Sequence, residues 1–507
     1  MTKKSRFGQE TLIKTLLQQK KPSINGNRYM RKSVTLTLVL VFAVSSILSF
    51  LSVEGESRTI VIPDDYASIQ EAIDNANNGD TIFVKKGIYE EHTLTINKTI
   101  MLIGEDKENT TIINIDGPPP WDLVNPFPPS KPDTIHITAD NVKISGFTIT
   151  CTSNDFGKII HATGNGIQII DNVITELNGV FSAIGIDVYG ERNQIINNSI
   201  SGVLEGISFS GSYFTVIQNT IENGQFLGNG DNNLIMSNVV SKGYTDGINL
   251  NGDNNLIFNN TVTEQNHGIW VYGIGNSLIL NSASNNVLWG IAIRSPIESY
   301  GNNTVYANTI AHNRDGLNIL EGKNNTLYAN NLINNHVGMT IVGYKSWMDH
   351  SAYNNTFYHN NFIKNNYGAA DWSHIGTNAW DNGFEGNFWD YYNGTDSNHD
   401  GIGDTAFSVN SPYTIGNSDP TVYDPREVNF QALDRYPLMT PFNVDSLDIK
   451  LPEWTSLLLS PSSTPSPADT HSDAEPEFFP TTLVVASLIT VAVIGVSLVV
   501  YFRKRKR

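Results

Sequence analysis

The 507-residue chain has a single cysteine, Cys151, and only 16 % charged residues. One cysteine excludes an internal disulfide, and its strand-like surroundings, KISGFTITCTS, predict a small buried apolar side chain. The formal net charge of −18 argues against nucleic acid as a partner. Methionine and histidine are scattered, and Met348 and His350 form the nearest pairing. A copper site needs clustered Met, His or Cys, so copper is not expected.

The sequence between Asn232 and Phe362 also lacks the pattern of long amphipathic helices. It repeats one short motif instead. Its copies read NNLIMSNVV, NNLIFNNTV, NNTVYANTI, NNTLYANNL and NNTFYHNNF. Apolar and polar residues alternate within each copy until Gly or Asn interrupts, which indicates strands bounded by turns. The LxxLxL spacing of leucine-rich repeats is absent. A repeat of about 22 residues holds three short strands, so the sequence predicts an all-β solenoid, a parallel β-helix.

Two residue types mark fixed positions of this repeat. We expect the asparagines to stack into a ladder, because an amide can bond to the coils above and below and Asn tolerates left-handed backbone. The glycines predict a second bend, where a positive φ has no steric cost. The asparagines are Asn198, Asn219, Asn238, Asn260, Asn281, Asn308, Asn330 and Asn360, and the glycines are Gly247, Gly268, Gly290, Gly316 and Gly338.

Both ends of the chain carry apolar segments. Ser33–Val53 follows basic residues and is typical of a signal peptide or signal anchor, with Met1 or Met30 as the start. Thr481–Phe502 is long enough to cross a bilayer, and the basic tail after it is expected in the cytoplasm. The β-helix is therefore expected outside the cell membrane, in a single-pass or two-pass protein. The predicted regions are a leader and signal (1–57), the β-helix (58–363), its C-terminal end (364–445), a Ser/Thr/Pro-rich stalk (446–480), the membrane helix (481–502) and the tail (503–507).

Eight N-x-S/T sequons are candidates for glycan attachment in an external protein. Where the sequon Asn precedes a ladder Asn, we expect it to point outward. The sequon residues are Asn97, Asn109, Asn197, Asn259, Asn302, Asn324, Asn354 and Asn393.

The start of the folded region predicts a short helix that covers the open end of the solenoid. Ser68 and Glu71 form a capping box, and Ile69, Ala72, Ile73 and Ala76 share one face. Without such a cover, exposed strand edges would recruit other chains.

This N-terminal stretch, IPDDYASIQEAIDNANNGDTIFVKKGIYEEHTLTINKTIMLIGEDKENTTI, resembles the opening of pectin-lyase-like right-handed β-helix proteins. The Asn/Gly coils after it, and GNFWDYYNGTDSNHDGIGD with DRYPLM near the end, resemble the carbohydrate-binding and NosD-type periplasmic copper-binding branch of that superfamily. The resemblance covers about Ile60 to Met439 and implies a right-handed parallel β-helix. It does not single out a function, because such folds host many.

Within the end signature, one loop has the spacing of a calcium site. Oxygen ligands at positions 1, 3 and 5, Gly401 at 6, a carbonyl at 7 and a carboxylate at 9 match the first part of an EF-hand-type loop. Phe407 replaces the glutamate expected at position 12, so another ligand must complete the shell. The alternative is a turn without an ion. The predicted Ca²⁺ ligands are Asp396, Asn398, Asp400, Ile402 and Asp404.

The register of the repeat also places acids, a histidine and aromatic residues on adjacent coils. Such a set can bind sugar rings, and an acid or histidine could act as a general base. The predicted substrate-binding residues are Asp246, His267, Trp270, Tyr272, Arg294 and Asp315. The favoured function is a membrane-anchored structural or adhesive surface protein that binds glycans or other surface partners, with a polysaccharide or surface glycan as the expected ligand. The alternatives are a polysaccharide lyase, epimerase or hydrolase, and an accessory factor for a copper or other metalloenzyme.

Overall fold

The computed structural model describes residues 57–115, 133–151, 157–176, 183–296, 300–341, 343–345, 349–371, 378–409, 432–452 and 455. In this part of the chain, three parallel sheets form the predicted β-helix, and each strand pairs with strands one coil away. Every complete coil contributes one strand to sheet 1, then one to sheet 2, then one to sheet 3.

In all three sheets, the strands stack in the order in which they occur along the chain. Sheet 1 contains Thr59–Ile62, Thr81–Val84, Met101–Gly104, Lys143–Ser145, Gln168–Ile170, Gln194–Ile196, Thr215–Ile217, Leu234–Met236, Leu256–Phe258, Ser277–Ile279, Thr304–Tyr306, Thr326–Tyr328 and Thr356–Tyr358. Sheet 2 contains Gly87–Glu91, Thr110–Asn114, Thr148–Cys151, Val173–Glu176, Ser199–Ser201, Thr220–Glu222, Val239–Ser241, Thr261–Thr263, Ser282–Ser284, Thr309–Ala311, Asn331–Ile333, Asn361–Ile363 and Phe388–Trp389. Sheet 3 contains Leu94–Ile96, Ile135–Ile137, Lys158–Thr163, Ile184–Tyr189, Glu205–Ser210, Gln225–Asn229, Asp246–Asn251, His267–Tyr272, Trp289–Arg294, Asp315–Lys323, Val337–Ile341 and Tyr367–Asp371, with the hairpin Gly343–Lys345 and Asp349–Tyr353 at its edge.

The core consists of aliphatic rows that run through successive coils. In sheet 1, for example, Ile257, Leu278 and Val305 are register partners and are fully buried. Because side chains alternate across a strand, their neighbours in sequence face outward. Cys151 is buried, as predicted.

The predicted asparagine ladder is present. Each ladder Asn donates from Nδ2 to Oδ1 of the Asn one coil further along, as Asn260 does to Asn281 at 3.0 Å. The same Oδ1 accepts the backbone N–H of the preceding ladder residue, so Asn281 satisfies two donors of Asn260. The column also continues beyond the predicted set, from Asn172 to Asn387. Buried amides are thus satisfied from coil to coil, which keeps the coils in register.

Two further columns, not predicted, stand at the other corners. One contains Asn233, Asn255, Asn276, Asn303, Asn325, Asn355 and Asn378, and the other contains Asn286, Asn313, Asn335 and Asn365.

The left-handed conformation belongs to the residue before a ladder Asn, not to the ladder residue itself. Asn259 has φ 55° ahead of Asn260, and Ala307 has φ 58° ahead of Asn308. Several residue types occupy that corner, and their exposure differs: Asn259 is exposed, whereas the small side chain of Ala307 is buried. The expected outward position of the sequon residues is therefore confirmed at Asn259, which is exposed.

The prediction for Gly247 and its row is wrong. These glycines lie inside the strands of sheet 3 and are absent from the positive-φ residues of the described chain. Glycine is needed there for space, because a Cβ on Gly247 would lie 2.7 Å from the carbonyl oxygen of Gly268 in the next coil. A different row supplies the bends, where Gly252 and Gly273 have φ of 141° and 150°.

The predicted N-terminal helix is present as Ile69–Asn75, and the Ser68 hydroxyl accepts the N–H of Glu71 at 3.2 Å. Its predicted face is buried against the strands of the first coil.

At the other end, Asp434 terminates the asparagine column. It lies in a small antiparallel pair, Phe407–Ser408 with Leu433–Asp434. One carboxylate oxygen accepts the backbone N–H of Asn387 at 2.7 Å and the indole N–H of Trp389 at 2.8 Å, and the other accepts the N–H of Tyr436. Burial raises the pKa of Asp434 to about 6, although these hydrogen bonds favour the charged form.

The chain then runs back along the solenoid. A 3₁₀ turn, Val444–Ser446, leads to Ile449 and Leu451, which pack on an apolar cluster that includes Leu256 on the outer face of sheet 1. The first residues of the predicted stalk therefore lie against the β-helix.

Both predicted membrane segments, Ser33–Val53 and Thr481–Phe502, fall outside the described residues. Among the residues that the structure does describe, no helix is long and apolar enough to cross a membrane.

We expect Asn260→Ala to lower the midpoint of thermal unfolding. The change removes the donor to Ile235 O and the acceptor of two Asn238 donors, all buried, which corresponds to about 2–4 kcal/mol. Circular dichroism melting measures the shift. The control is Asn259→Gly, which retains the left-handed corner at an exposed position and should change the midpoint little. Equal losses in the two variants would contradict the structural role of the ladder.

The raised pKa of Asp434 predicts a pH dependence of stability. A carboxyl group with a raised folded-state pKa stabilises the fold most below its unfolded pKa of roughly 4, and this contribution disappears as the pH rises through about 6. The difference in unfolding midpoint between the native chain and Asp434→Asn should therefore change between pH 4 and 7, in favour of the native chain at the acidic end. A constant difference across this range would refute the assignment.

Candidate functional site

The outer face of sheet 3 carries the predicted site residues. Strands of this sheet stack in register, so residues one coil apart stand about 4.8 Å from each other. Asp246, His267, Trp289 and Asp315 are successive register partners, and Asn249 pairs with Trp270. Inward residues of the same strands, such as Ile248, are buried and hold this face in place.

Asp246 and His267 form a direct pair. Oδ1 of Asp246 lies 2.7 Å from Nδ1 of His267, and Oδ2 accepts a hydrogen bond from Asn249 Nδ2 at 2.7 Å. Partial burial opposes ionisation, but these two bonds outweigh it and hold the pKa of Asp246 below its usual value. The carboxylate is thus charged at neutral pH, and it orients the imidazole so that Nε2 is the ring atom able to accept a proton.

Two tryptophans flank this histidine. The ring of His267 lies 4.4 Å from that of Trp289 and 5.8 Å from that of Trp270, and the two indoles are 5.3 Å apart. All three side chains are partly exposed. We call His267, Trp270, Trp289, Asp246 and Asn249 the aromatic site.

Tyr272 and Arg294 stand beside the aromatic site on the same two strands. The guanidinium of Arg294 lies 5.7 Å from the centre of the Tyr272 ring. It also bonds through two nitrogens to Glu321, at 2.8 and 3.3 Å. The charge of Arg294 is therefore balanced within the protein, and this group extends the aromatic surface without adding net positive charge.

Asp315 is part of the same row but lies three coils from Asp246, about 14 Å away at the spacing of a β-sheet. It is buried and contacts Arg314 at 3.2 Å. The two carboxylates among the predicted substrate-binding residues, Asp246 and Asp315, are therefore not adjacent.

A second polar group, which the sequence analysis did not identify as a site, lies nearer the N-terminus on the same face. Lys158 is paired with the buried Asp187. In the next coil, burial and the charge of Asp187 raise the pKa of Glu205.

Next to Lys158, His136 and His161 both contact Asp133. The two histidines are 25 residues apart in similar strands, TIHIT and IIHAT. This spacing of one coil could have predicted from the sequence that they lie side by side.

The predicted calcium loop forms a closed turn. Asp396 accepts the N–H groups of Asp400 and Gly401 at 3.2 and 3.0 Å, and Asp400 accepts that of Ile402 at 2.9 Å. The Asp404 carboxylate accepts bonds from Thr395 and Ser397. Asn398 donates to Asp400. The five residues are thus on one exposed loop, and their carboxylates already bond to the turn.

Met348, half of the Met/His pairing considered for copper, lies outside the described residues.

Comparisons with known proteins agree with the fold. Residues 157–295 and 246–399 match the family model described as the right handed beta helix region. Among solved structures, the Dettilon tailspike protein is 16 % identical over 60 % of this chain and 67 % of its own, with a TM-score of 0.42. The periplasmic alginate epimerase AlgG is 16 % identical over 63 % and 73 %, with a TM-score of 0.36. The catalytic unit of an α-1,3-glucanase from Streptomyces thermodiastaticus is 13 % identical over 63 % and 66 %, with a TM-score of 0.43. No protein of curated function matches the sequence. At these identities the similarities concern the fold alone.

Proposed function

Because the chain contains a right-handed β-helix region, we propose that it is a surface-displayed solenoid that binds polysaccharide along the outer face of sheet 3. The observation that carries the proposal is the aromatic site, where two partly exposed indoles and an imidazole stand beside a carboxylate and an amide.

This combination suits a sugar because each pyranose ring has apolar C–H faces and a rim of hydroxyl groups. Aromatic rings such as Trp270 and Trp289 offer large, rigid apolar surfaces at a small cost in side-chain entropy. Asp246 and Asn249 supply hydrogen-bonding groups at the edge of those rings, as in many binding sites with a few fixed polar groups.

Charge favours neutral over acidic glycans. The lowered pKa of Asp246 keeps it ionised, and the nearby cation of Arg294 is paired with Glu321. An anionic polysaccharide would meet the ionised carboxylate of Asp246 and the overall charge of −18. A neutral polysaccharide avoids that repulsion.

Catalysis on a polysaccharide is the second candidate, and the Asp246–His267 pair is the observation in its favour. A carboxylate that fixes one imidazole nitrogen leaves the other available as a general base. Asp315, the other carboxylate among the predicted substrate-binding residues, is about three coils away, too far to act on the same bond. Binding is therefore favoured.

Display outside the cell, with Thr481–Phe502 as a membrane anchor, remains part of the proposal and rests on the sequence. The exposed sequon residues Asn197, Asn259, Asn302 and Asn354 are available to glycan attachment in such a location. The NosD-type assignment likewise rests on the sequence resemblance.

We expect the full chain to bind a neutral polysaccharide, and Trp270→Ala or Trp289→Ala to weaken that binding roughly tenfold or more, because aromatic side chains that become buried on binding dominate such contacts. Isothermal titration calorimetry against a panel of neutral and acidic polysaccharides measures the effect. Phe384→Ala is the control, since this aromatic side chain is 80 % exposed and lies outside the aromatic site. Undiminished binding by both tryptophan variants would contradict the proposal.

The same panel separates binding from catalysis. New reducing or unsaturated ends that disappear in His267→Ala, while Phe384→Ala retains them, would establish an enzyme in place of a binding protein. Binding without products supports the proposal as stated.

For the loop at Asp396, Asn398, Asp400, Ile402 and Asp404, we propose Ca²⁺ binding that stiffens the C-terminal end of the solenoid. Ca²⁺ should raise the midpoint of thermal unfolding, and Asp400→Asn, which retains an oxygen for the Ile402 N–H but removes one negative charge from the loop, should reduce the increase. Asp448→Asn, on an exposed carboxylate elsewhere, is the control. A native chain whose midpoint does not respond to Ca²⁺ would exclude the site.

A further inference from the structure

A second site stands apart from the aromatic site on the same face. His136 and His161 are register partners on adjacent strands of sheet 3, and Asp133 precedes the first of these strands. Asp133 Oδ2 lies 2.9 Å from His136 Nδ1 and 2.8 Å from His161 Nδ1. The three ligand atoms all lie within 4.8 Å of one another. From these contacts we propose that Asp133, His136 and His161 bind a divalent transition-metal ion of the zinc class.

The donor set matches that ion. Zinc takes imidazole nitrogens and carboxylate oxygens at about 2.0–2.2 Å in tetrahedral geometry, so its ligand atoms lie roughly 3.4 Å from each other. The Asp133–histidine distances must therefore open by about half an ångström. Both histidines change tautomer, so that Nδ1 presents its lone pair and Nε2 carries the proton. Water completes the fourth position.

An ion can reach this site from solvent, and the backbone that carries Asp133 is held in place. The three side chains are 16–34 % exposed, so an ion can enter from solvent and a water ligand has room. The carbonyl of Asp133 accepts hydrogen bonds from Thr93 and Asn114, at 2.6 and 3.0 Å, which fix the backbone that carries the acid. Such outer contacts orient metal ligands.

The nearby cation forms its ion pair with a different carboxylate, although its charge also interacts with that of Asp133. Lys158 pairs with Asp187, a different acid that is 2 % exposed, and its ammonium lies 5.6 Å from the centre of the Tyr189 ring. The rings of Tyr189 and His161 also form a T-shaped contact, with centroids 6.0 Å apart. Asp133 therefore remains available to an ion.

The pair Asp246–His267 provides a matched comparison within the same chain. It has the same Nδ1–carboxylate contact, but its register partner one coil on is Trp289 and not a second histidine. Two protein ligands hold zinc far less well than three, so this pair should not retain the ion.

The test is titration of the metal-free full chain with Zn²⁺ by calorimetry, together with visible absorption of Co²⁺ as a probe of four-coordinate geometry. We expect one equivalent of Zn²⁺ to bind per chain. His136→Gln and His161→Gln should each weaken Zn²⁺ binding on the order of 100-fold and remove the Co²⁺ absorption. His267→Gln should leave the Zn²⁺ affinity and the Co²⁺ absorption unchanged.

Asp133→Asn provides a second variant that retains the shape of the side chain, and circular dichroism verifies that each variant is folded. The proposal is overturned if the native chain binds no Zn²⁺, or if binding is equally strong in the two glutamine variants, as expected of a non-specific site on an acidic surface. Because these residues are absent from the aromatic site, the outcome is independent of glycan binding.

Discussion

The hydrogen bond from one asparagine amide to the next is the interaction on which this molecule depends. Each ladder residue uses both halves of its amide: Asn260, for example, donates from Nδ2 to Asn281 in the coil ahead and to the carbonyl of Ile235 in the coil behind, and its Oδ1 accepts from Asn238 in the coil behind. A coil with two or three such corners cannot slip by a residue without leaving buried polar groups unpaired. Register is therefore fixed at the corners, and the strands between them need only be short and apolar on one side.

Because the corners fix the register, the outer faces of the sheets can carry other functional groups. On sheet 3 the inward rows are aliphatic, while the outward rows include a histidine–aspartate group, a lysine–aspartate pair and the aromatic site. On sheet 1 the outward row is apolar instead, and Ile449 and Leu451 cover it. The same scaffold thus supports a solvated face and a covered face, according to which side chains occupy the outward positions.

Much of this was predictable from the sequence. The repeat fixed the β-helix, the ladder from Asn198 to Asn360 and the neighbouring positions of Asp246 and His267, because coil spacing converts directly into contact. For the row that includes Gly247, the sequence predicted a positive φ, but the structure shows a lack of space inside a strand. Both conditions select glycine, so the sequence could not distinguish them. Sequence spacing also could not show that Glu321 pairs with Arg294, that Asp434 ends the column, or that Asp133 meets two histidines, because these contacts involve residues outside the repeat phrase.

The asparagine column also has a direction. In the side-chain bonds between successive members, each amide nitrogen donates toward the C-terminal end and each amide oxygen accepts from the N-terminal side. The last acceptor, Asp434, is a carboxylate whose charged form has no proton to donate onward. Another coil, or another copy of the molecule, stacked beyond this point would meet an acceptor where an amide donor is required. The solenoid can therefore lengthen or shorten between its ends by whole coils, with each new amide joining an existing chain of bonds, whereas the charged carboxylate of Asp434 gives a further amide oxygen no donor at this end. Changes of length by whole coils would alter the separation of the two groups on sheet 3 in fixed steps and leave each group intact.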